Sequence, residues 1–271
     1  MFLKSLTLFI SFALVVPAFA YSGFASDFEK KNVYYLPPTK SEKSSDQNIS
    51  LLQLKKVDQK FPRPQEKYDR DKHYGKWISI SKESSCLNTR EVVLKRSSSP
   101  DQIAVSKNGC RILRGEWLDP YTDQQFTNPK DIQIDHMVPL KNSYISGGYQ
   151  WSQQKRCAYA NYLGNSFHLL AVSGDANEEK LDHSPKQYMP PNKAYHCQYL
   201  KDWLQIKLIW ELAMSEDEVT AIQDLMKESN CDPQEFRISK AELQEQRKKI
   251  EAGIQFCASK LNENNSQAGA K

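Results

Sequence analysis

Four side chains of the sequence have the types that metal-assisted hydrolysis requires: Asp135, His136, His168 and Asn177. A carboxylate and a carboxamide oxygen suit Mg²⁺, which prefers oxygen ligands and keeps several waters that a substrate phosphate can replace. A neutral imidazole beside the ion can take a proton from an attacking water, because imidazole titrates close to working pH. Together these groups fit hydrolysis of a phosphodiester.

The first two of these residues stand at the end of a predicted strand. Residues 131–138 (DIQIDHMV) alternate in polarity and Pro139 closes the run, which predicts a strand that ends at or just after His136. Neighbouring strand residues point to opposite faces. Asp135 and His136 can therefore share one site only if the strand bends or ends between them.

The other two belong to a second strand and the helix after it. Residues 167–172 (FHLLAV) predict a short strand. Asp175 precedes Glu178 by three residues, a helix-start signature that places Asn177 in the first turn of a helix continuing through Lys180. The predicted order is strand, long connection, strand, helix.

The N-terminal residues 1–20 have the pattern of a signal peptide. Lys4 precedes an apolar run, and Ala18-Phe19-Ala20 supplies an A-x-A cleavage site. An uncleaved anchor is the less favoured alternative, because the run falls short of the ~20 residues that cross a bilayer. We expect a periplasmic or secreted protein with no membrane segment after cleavage.

Export also explains the cysteines, which are Cys86, Cys110, Cys157, Cys197, Cys231 and Cys257. An even number in an oxidising compartment predicts disulfides, and six cysteines allow about 15 pairings. No C-x-x-C spacing supports a structural zinc site. We favour a local pair between Cys86 and Cys110 and leave the others open.

Composition divides the chain. Residues 38–70 are rich in Ser, Lys, Gln, Asp and Pro, so residues 21–67 are predicted to be a flexible leader. Every Trp and His lies within the predicted globular domain, residues 68–235. Residues 236–271 are predicted to be a helix with a polar tail. The net charge of +4, or +3 without the signal, neither indicates nor excludes nucleic acid.

Three further helical patterns complete the prediction. Residues 149–162 look helical. A buried helix face is predicted from apolar residues at helical spacing: Leu200, Trp203, Ile206 and Trp210. Ser239 stands three residues before Glu242, which is the spacing of a capping box and predicts an amphipathic helix over residues 239–260.

Five segments carry a recognisable pattern: CLNTREVVL (86–94), GCRILRGEWLDPYT (109–122), IDHMVPL (134–140), HLLAVSGDANEEK (168–180) and MPPNKAYHCQYLKDWLQIKLIWEL (189–212). The pattern resembles the HNH, or His-Me finger, nucleases, and most closely the exported bacterial group related to the C-terminal domain of GmrSD-type restriction enzymes. The resemblance covers roughly residues 68–231. It implies an α+β fold, with a ββα-metal (His-Me) finger embedded in a mostly helical, disulfide-stapled domain.

The resemblance also implies roles for individual residues. His136 would be the general base that activates water, and Asp135 with Asn177 would hold one divalent ion, Mg²⁺ or Mn²⁺. His168 would be a site residue of second rank that holds the loop presenting the catalytic histidine. Lys180 would contact phosphate.

Some neighbouring residues are ambiguous or depart from the pattern. Arg90 could bind substrate phosphate bidentately or form a structural ion pair. His73, His183 and His196 have no motif support and are assigned surface or structural roles. The group usually has Gly after the lysine and Trp before the Pro pair, where this chain has Leu181 and the Tyr188-Met189 pair. Those changes lie outside the expected metal site.

The resulting hypothesis is an endonuclease that acts on DNA, with RNA as a further candidate substrate. Little sequence specificity is expected, because such a finger grips the backbone rather than base edges. Two alternatives remain. One is a catalytically inactive nucleic-acid or envelope-binding protein of the same fold. The other is a zinc-dependent hydrolase that uses His136, His168 and another histidine.

Overall fold

The structure is a computed structural model, and it describes residues 34–36, 47–57, 64, 66–80 and 86–268. The predicted signal peptide, residues 1–20, lies outside this range. The strands in it are β1 (Tyr34–Leu36), β2 (Asn48–Ser50), β3 (Lys55–Val57), β4 (Ala104–Val105), β5 (Ile112–Arg114), β6 (Trp117–Asp119), β7 (Gln124–Phe126), β8 (Ile132–His136), β9 (Leu169–Ser173), β10 (Met214–Ser215) and β11 (Arg237–Ser239). The helices are α1 (Arg70–His73), α2 (Thr89–Ser97), α3 (Leu140–Ile145), α4 (Gln153–Ala160), α5 (Gly174–Lys180), α6 (His196–Ile209), α7 (Glu216–Glu228) and α8 (Lys240–Ala268).

Small antiparallel sheets set among helices make this an α+β fold, as the sequence predicted. The pair that concerns function is β8 with β9, whose register runs from Ile132 opposite Ser173 to His136 opposite Leu169. Helix α5 begins immediately after β9 and packs on both strands. The chain order is therefore strand, strand, helix, with α3 and α4 in the connection between the strands.

The observed elements confirm the predicted strand end at His136, and they place His168 one residue before β9. The helix cap differs from the prediction: α5 is capped by Ser173, whose hydroxyl accepts from the Ala176 N–H, and not by Asp175. Asn177 is consequently the fourth residue of α5. The predicted cap of α8 is confirmed, because the Ser239 hydroxyl accepts from the Glu242 N–H.

Part of the predicted flexible leader is ordered into sheets. Strand β2 pairs with β11, and β1 pairs with both β3 and β10. Ile49 and Leu51 are buried in the main core. The composition of residues 21–67 gave no sign of this, because these strands are three residues long, and β1 and β2 pair with the distant strands β10 and β11.

Two apolar cores lie on either side of β8. The main core surrounds α6, and the predicted helix face is buried there: Leu200, Trp203, Ile206 and Trp210. The second core packs α2 against the sheet, through Val93 and Leu94 on one side and Ile132 and Ile134 on the other. Removing this apolar surface from water is the main force that holds β8 in place.

Three disulfides fasten the domain: Cys86–Cys110, Cys157–Cys257 and Cys197–Cys231. The predicted local pair is confirmed. The bond between Cys157 and Cys257 joins α4 to α8 across 100 residues of sequence. No helix within the described residues has the length and apolar character that crossing a membrane demands.

The disulfide that closes the longer loop should contribute more stability. Replacing Cys157 and Cys257 with Ala should lower the free energy of unfolding by about 4.7 kcal/mol, against about 3.5 kcal/mol for the Cys86 and Cys110 pair, because the loop-closure entropy of the unfolded chain grows with loop length. Urea unfolding of the two double variants measures the difference. A larger loss for the Cys86 and Cys110 variant would contradict this ordering.

Candidate active site

His136 is held at the end of β8 by the C-terminus of α4. Its Nε2 lies 3.0 Å from the carbonyl oxygen of Ala160, and only 7% of the residue is exposed. A carbonyl can only accept, so Nε2 carries the proton of the neutral ring and Nδ1 is left with a free lone pair. The ring of Trp77 is stacked on it, at 5.4 Å between centroids and 6° between planes.

Burial lowers the pKa of His136 well below its usual range. His168, Arg70 and Lys180 lower it further, while the hydrogen bond to Ala160 acts in the opposite direction. The charged form is disfavoured because a buried imidazolium loses its hydration. The free protein therefore holds His136 as a neutral ring that can accept a proton at Nδ1.

His168 is bound to the same end of α4, at the residue before Ala160. Its Nε2 donates to the carbonyl oxygen of Tyr159 at 2.8 Å, and its backbone N–H donates to Asn165 Oδ1. Within the described residues, its buried Nδ1 has no hydrogen-bond partner. Burial lowers the pKa of His168 to about 3. The two imidazole rings lie 6.2 Å apart in a T-shaped arrangement.

Asp135 points away from His136 and into a buried ion pair. Its Oδ1 is 3.0 Å from Lys180 Nζ, and its Oδ2 accepts from the Tyr121 hydroxyl at 2.6 Å. Lys180 is fully buried and also donates to the carbonyl oxygen of His136 at 3.1 Å. Burial raises the pKa of Asp135 and lowers the pKa of Lys180, and their mutual attraction opposes both shifts.

Asn177 lies on the same side of β8 as Asp135. Its Nδ2 donates to Gln133 Oε1 at 2.7 Å, and Gln133 in turn donates to Glu178. The alternation of β8 thus turns Gln133 and Asp135 toward α5 and turns His136 toward α4. Asn177 therefore contacts one face of β8, and the His136 side chain projects from the other face.

The residues predicted to hold a divalent ion do not form a preassembled site. The Asp135 carboxylate is occupied by an ammonium and a phenol, and a positive charge 3.0 Å away opposes a second cation. Within the described part of the chain, no group of three or more His, Cys, Asp or Glu side chains is arranged to hold a metal ion.

The two predicted phosphate ligands are both occupied by protein acceptors. Arg90 donates to the carbonyl oxygens of Pro129 and Ile132 and pairs with Glu91. Arg90 therefore forms a structural ion pair, which was the alternative to binding substrate phosphate. Lys180 is buried in the pair with Asp135, which differs from the predicted contact with phosphate.

Sequence reasoning missed three side chains that shape the site: Trp77, Tyr121 and Arg70. Tyr121 lies in the GCRILRGEWLDPYT segment, but nothing in the sequence pairs it with Asp135. Trp77 packs against the second core while its ring stacks on His136. Ring stacking reveals the roles of Trp77 and Arg70, and the hydrogen bond to Asp135 reveals the role of Tyr121.

Comparison with known proteins identifies related sequences. The family described as GmrSD restriction endonucleases, C-terminal domain, matches residues 88–225. A protein of Arthroderma benhamiae (strain ATCC MYA-4681 / CBS 112371), described as an uncharacterized secreted protein, is 36% identical over 163 residues, which cover 60% of this chain and 76% of that protein. No solved structure is significantly similar.

Because His168 is buried in its neutral form, the stability of the fold should be sensitive to acid. Between its ordinary pKa of 6.5 and the folded value of about 3, the unfolded chain binds a proton at this residue that the native protein does not. The free energy of unfolding should therefore fall as pH falls through this range, by at most about 1.4 kcal/mol per pH unit. His168→Gln, which keeps a donor for Tyr159, should flatten the fall measured by urea unfolding between pH 7 and pH 5.

Asp202 supplies a control of opposite sign. Burial raises its pKa from 3.8 to about 7, so the native protein binds a proton there that the unfolded chain lacks, and this contribution to stability is lost as pH rises. Asp202→Asn should therefore steepen the acid-side loss. If His168→Gln leaves the slope of the unfolding free energy against pH unchanged, protonation of the His168 ring does not destabilise the native protein.

Proposed function

We propose a nuclease function on one premise: the chain belongs to the family of the C-terminal domain of GmrSD restriction endonucleases. In this proposal it is an exported HNH-type endonuclease, a metal-dependent phosphodiester hydrolase with little sequence specificity. Its substrate is DNA, with RNA as a further candidate. Three disulfides and a relative described as secreted support action in the periplasm or outside the cell.

The unit β8, β9 and α5 is our candidate for the ββα finger. Two antiparallel strands lead into a helix, His136 ends the first strand, and Asn177 and Lys180 lie on the helix. Lys180 acts as a positioning residue here, because its ammonium holds the His136 carbonyl oxygen and thereby the backbone that presents the ring.

The observation that carries the proposal is the hydrogen bond from His136 Nε2 to Ala160. It fixes the neutral tautomer whose Nδ1 can act as a general base. In the reaction, Nδ1 takes a proton from water, the water oxygen attacks phosphorus in line, and the bond from phosphorus to the 3′ oxygen breaks. The leaving oxygen gains a proton from solvent, which gives 5′-phosphate and 3′-hydroxyl ends.

Metal dependence rests on the family resemblance. When bound, a divalent ion would neutralise charge on the phosphoryl oxygens and the leaving oxygen. The described residues fit such an ion poorly while the Lys180 ammonium holds the Asp135 carboxylate. The Asn177 carboxamide oxygen is the more accessible of the two predicted ligands, because the residue is only half-buried.

Removing the base should abolish turnover and spare binding. We expect His136→Ala to lower the rate of plasmid nicking by about 100- to 10,000-fold, the range for loss of a general base. Affinity for a labelled DNA duplex should stay within about twofold, because a neutral side chain is lost. His183→Ala is the matched control and should nick at the wild-type rate. Nicking by His136→Ala at that same rate would remove His136 from the mechanism.

Metal removal tests the cofactor. EDTA should stop cleavage, and Mg²⁺ or Mn²⁺ should restore it; recovery with Zn²⁺ alone would favour the zinc hydrolase. Mn²⁺ titration followed by electron paramagnetic resonance should show weaker binding in Asn177→Ala than in the wild type. Full activity in EDTA would refute metal dependence. Absence of cleavage with every metal would favour a binding protein of the same fold.

A further inference from the structure

The segment before the family-matched region lines the candidate site. Residues 66–80 precede the match at 88–225, yet polar contacts fix them to the connection between β8 and β9. The Ile78 N–H donates to Asn161 Oδ1 at 3.0 Å, and Arg156 Nε donates to the His73 carbonyl oxygen at 3.0 Å. Residues 66–80 therefore belong to the candidate site.

Within this segment, Trp77 and Arg70 stand beside the proposed base. The Trp77 ring is stacked on His136, and the Arg70 guanidinium carbon lies 5.7 Å from the centroid of the same indole. A guanidinium over an indole face is attracted by the ring quadrupole, which holds the long arginine side chain in one place. Trp77 thus supports a positive charge that is close enough to His136 to lower the pKa of that histidine.

Arg70 differs from Lys72, which lies on the same helix. It is exposed, and within the described residues it forms no ion pair. Lys72, two positions along α1, pairs with Glu66 at 2.8 Å. The neighbouring Asp69 is turned to the backbone, where its carboxylate caps α1 by accepting from the Lys72 N–H. Arg70 is left with its planar fork of donors available.

The two basic residues that the sequence predicted to contact phosphate cannot serve a substrate in this way. Lys180 is fully buried in the pair with Asp135, and Arg90 is committed to backbone carbonyls. A phosphodiester brought to Nδ1 of His136 needs a positive partner for its non-bridging oxygens. Arginine suits that task, because its fork matches two phosphate oxygens.

We propose that Arg70, supported by Trp77, binds the phosphate of the nucleic-acid strand that is presented to His136. The proposal rests on the proposed nuclease function and deepens it. It assigns substrate binding to a segment outside the family-matched region. Trp77 is a positioning residue in this scheme, because it acts by holding Arg70 and the base.

The test compares Arg70→Ala with its matched control, Lys72→Ala. Binding of a fluorescein-labelled DNA duplex is measured by anisotropy at several NaCl concentrations in a His136→Gln background, which stops turnover and keeps a planar amide beside Trp77. Arg70→Ala should weaken binding about tenfold and reduce the slope of log K against log salt by about 0.9, the value for one lost phosphate contact. Lys72→Ala should change affinity less than about twofold and leave the slope unchanged.

Three further variants separate the charge of Arg70 from the geometry of its contacts. Arg70→Lys should recover the salt slope but only part of the affinity, because it keeps the charge and loses the fork. Trp77→Ala should weaken binding as Arg70→Ala does, whereas Trp77→Phe should bind nearly as the parent. Circular dichroism establishes that each variant is folded.

The outcomes distinguish this proposal from the one on which it rests. If the wild-type protein cleaves DNA but Arg70→Ala and Lys72→Ala share one affinity and one salt slope, the Arg70 assignment is wrong and the nuclease stands. If the wild-type protein neither cleaves nor binds DNA or RNA with any metal, both proposals fall.

Discussion

The carbonyl oxygens of Tyr159 and Ala160, at the end of α4, each accept a hydrogen bond from an imidazole. The last carbonyls of a helix have no partners within its regular hydrogen bonding, so donors from outside the helix satisfy them. The Tyr159 carbonyl oxygen also accepts from the Tyr162 N–H at 3.4 Å. Because each carbonyl requires an N–H, the same two bonds set the tautomer of His136 and of His168. The chemistry of β8 therefore depends on where α4 ends.

Helix α4 is in turn held by the C-terminal helix. The Cys157–Cys257 bond fastens α4 to α8, and Gln246 of α8 accepts hydrogen bonds from Tyr162 and Asn165. Asn165 also accepts from the backbone N–H of His168. Residues more than 80 positions away thus fix the segment that carries both histidine contacts. The last helix belongs to the support of the site, although it lies beyond the family-matched residues.

Two buried lysines set the register of the surrounding elements. Lys180 joins α5 to β8 through Asp135, and Lys207 joins α6 to α7 through Glu218 at 3.1 Å. Removing charges from water is costly, and a buried pair repays that cost only when further hydrogen bonds satisfy both partners. Tyr121 supplies such a bond for Asp135. These pairs favour one arrangement of helices and strands over other arrangements of equal apolar burial.

Local patterns were sufficient to predict four features: β8, the cap of α8 at Ser239, the buried face of α6 and the Cys86–Cys110 bond. The reason is that periodicity, capping and short sequence separation are properties of residues close together in the sequence. They did not predict that Lys180 would be buried or that β2 would pair with β11. Those features join residues 44 or more positions apart along the chain. Alternation in a strand fixes which residues share a face, whereas the partner of that face is chosen only when the whole chain packs.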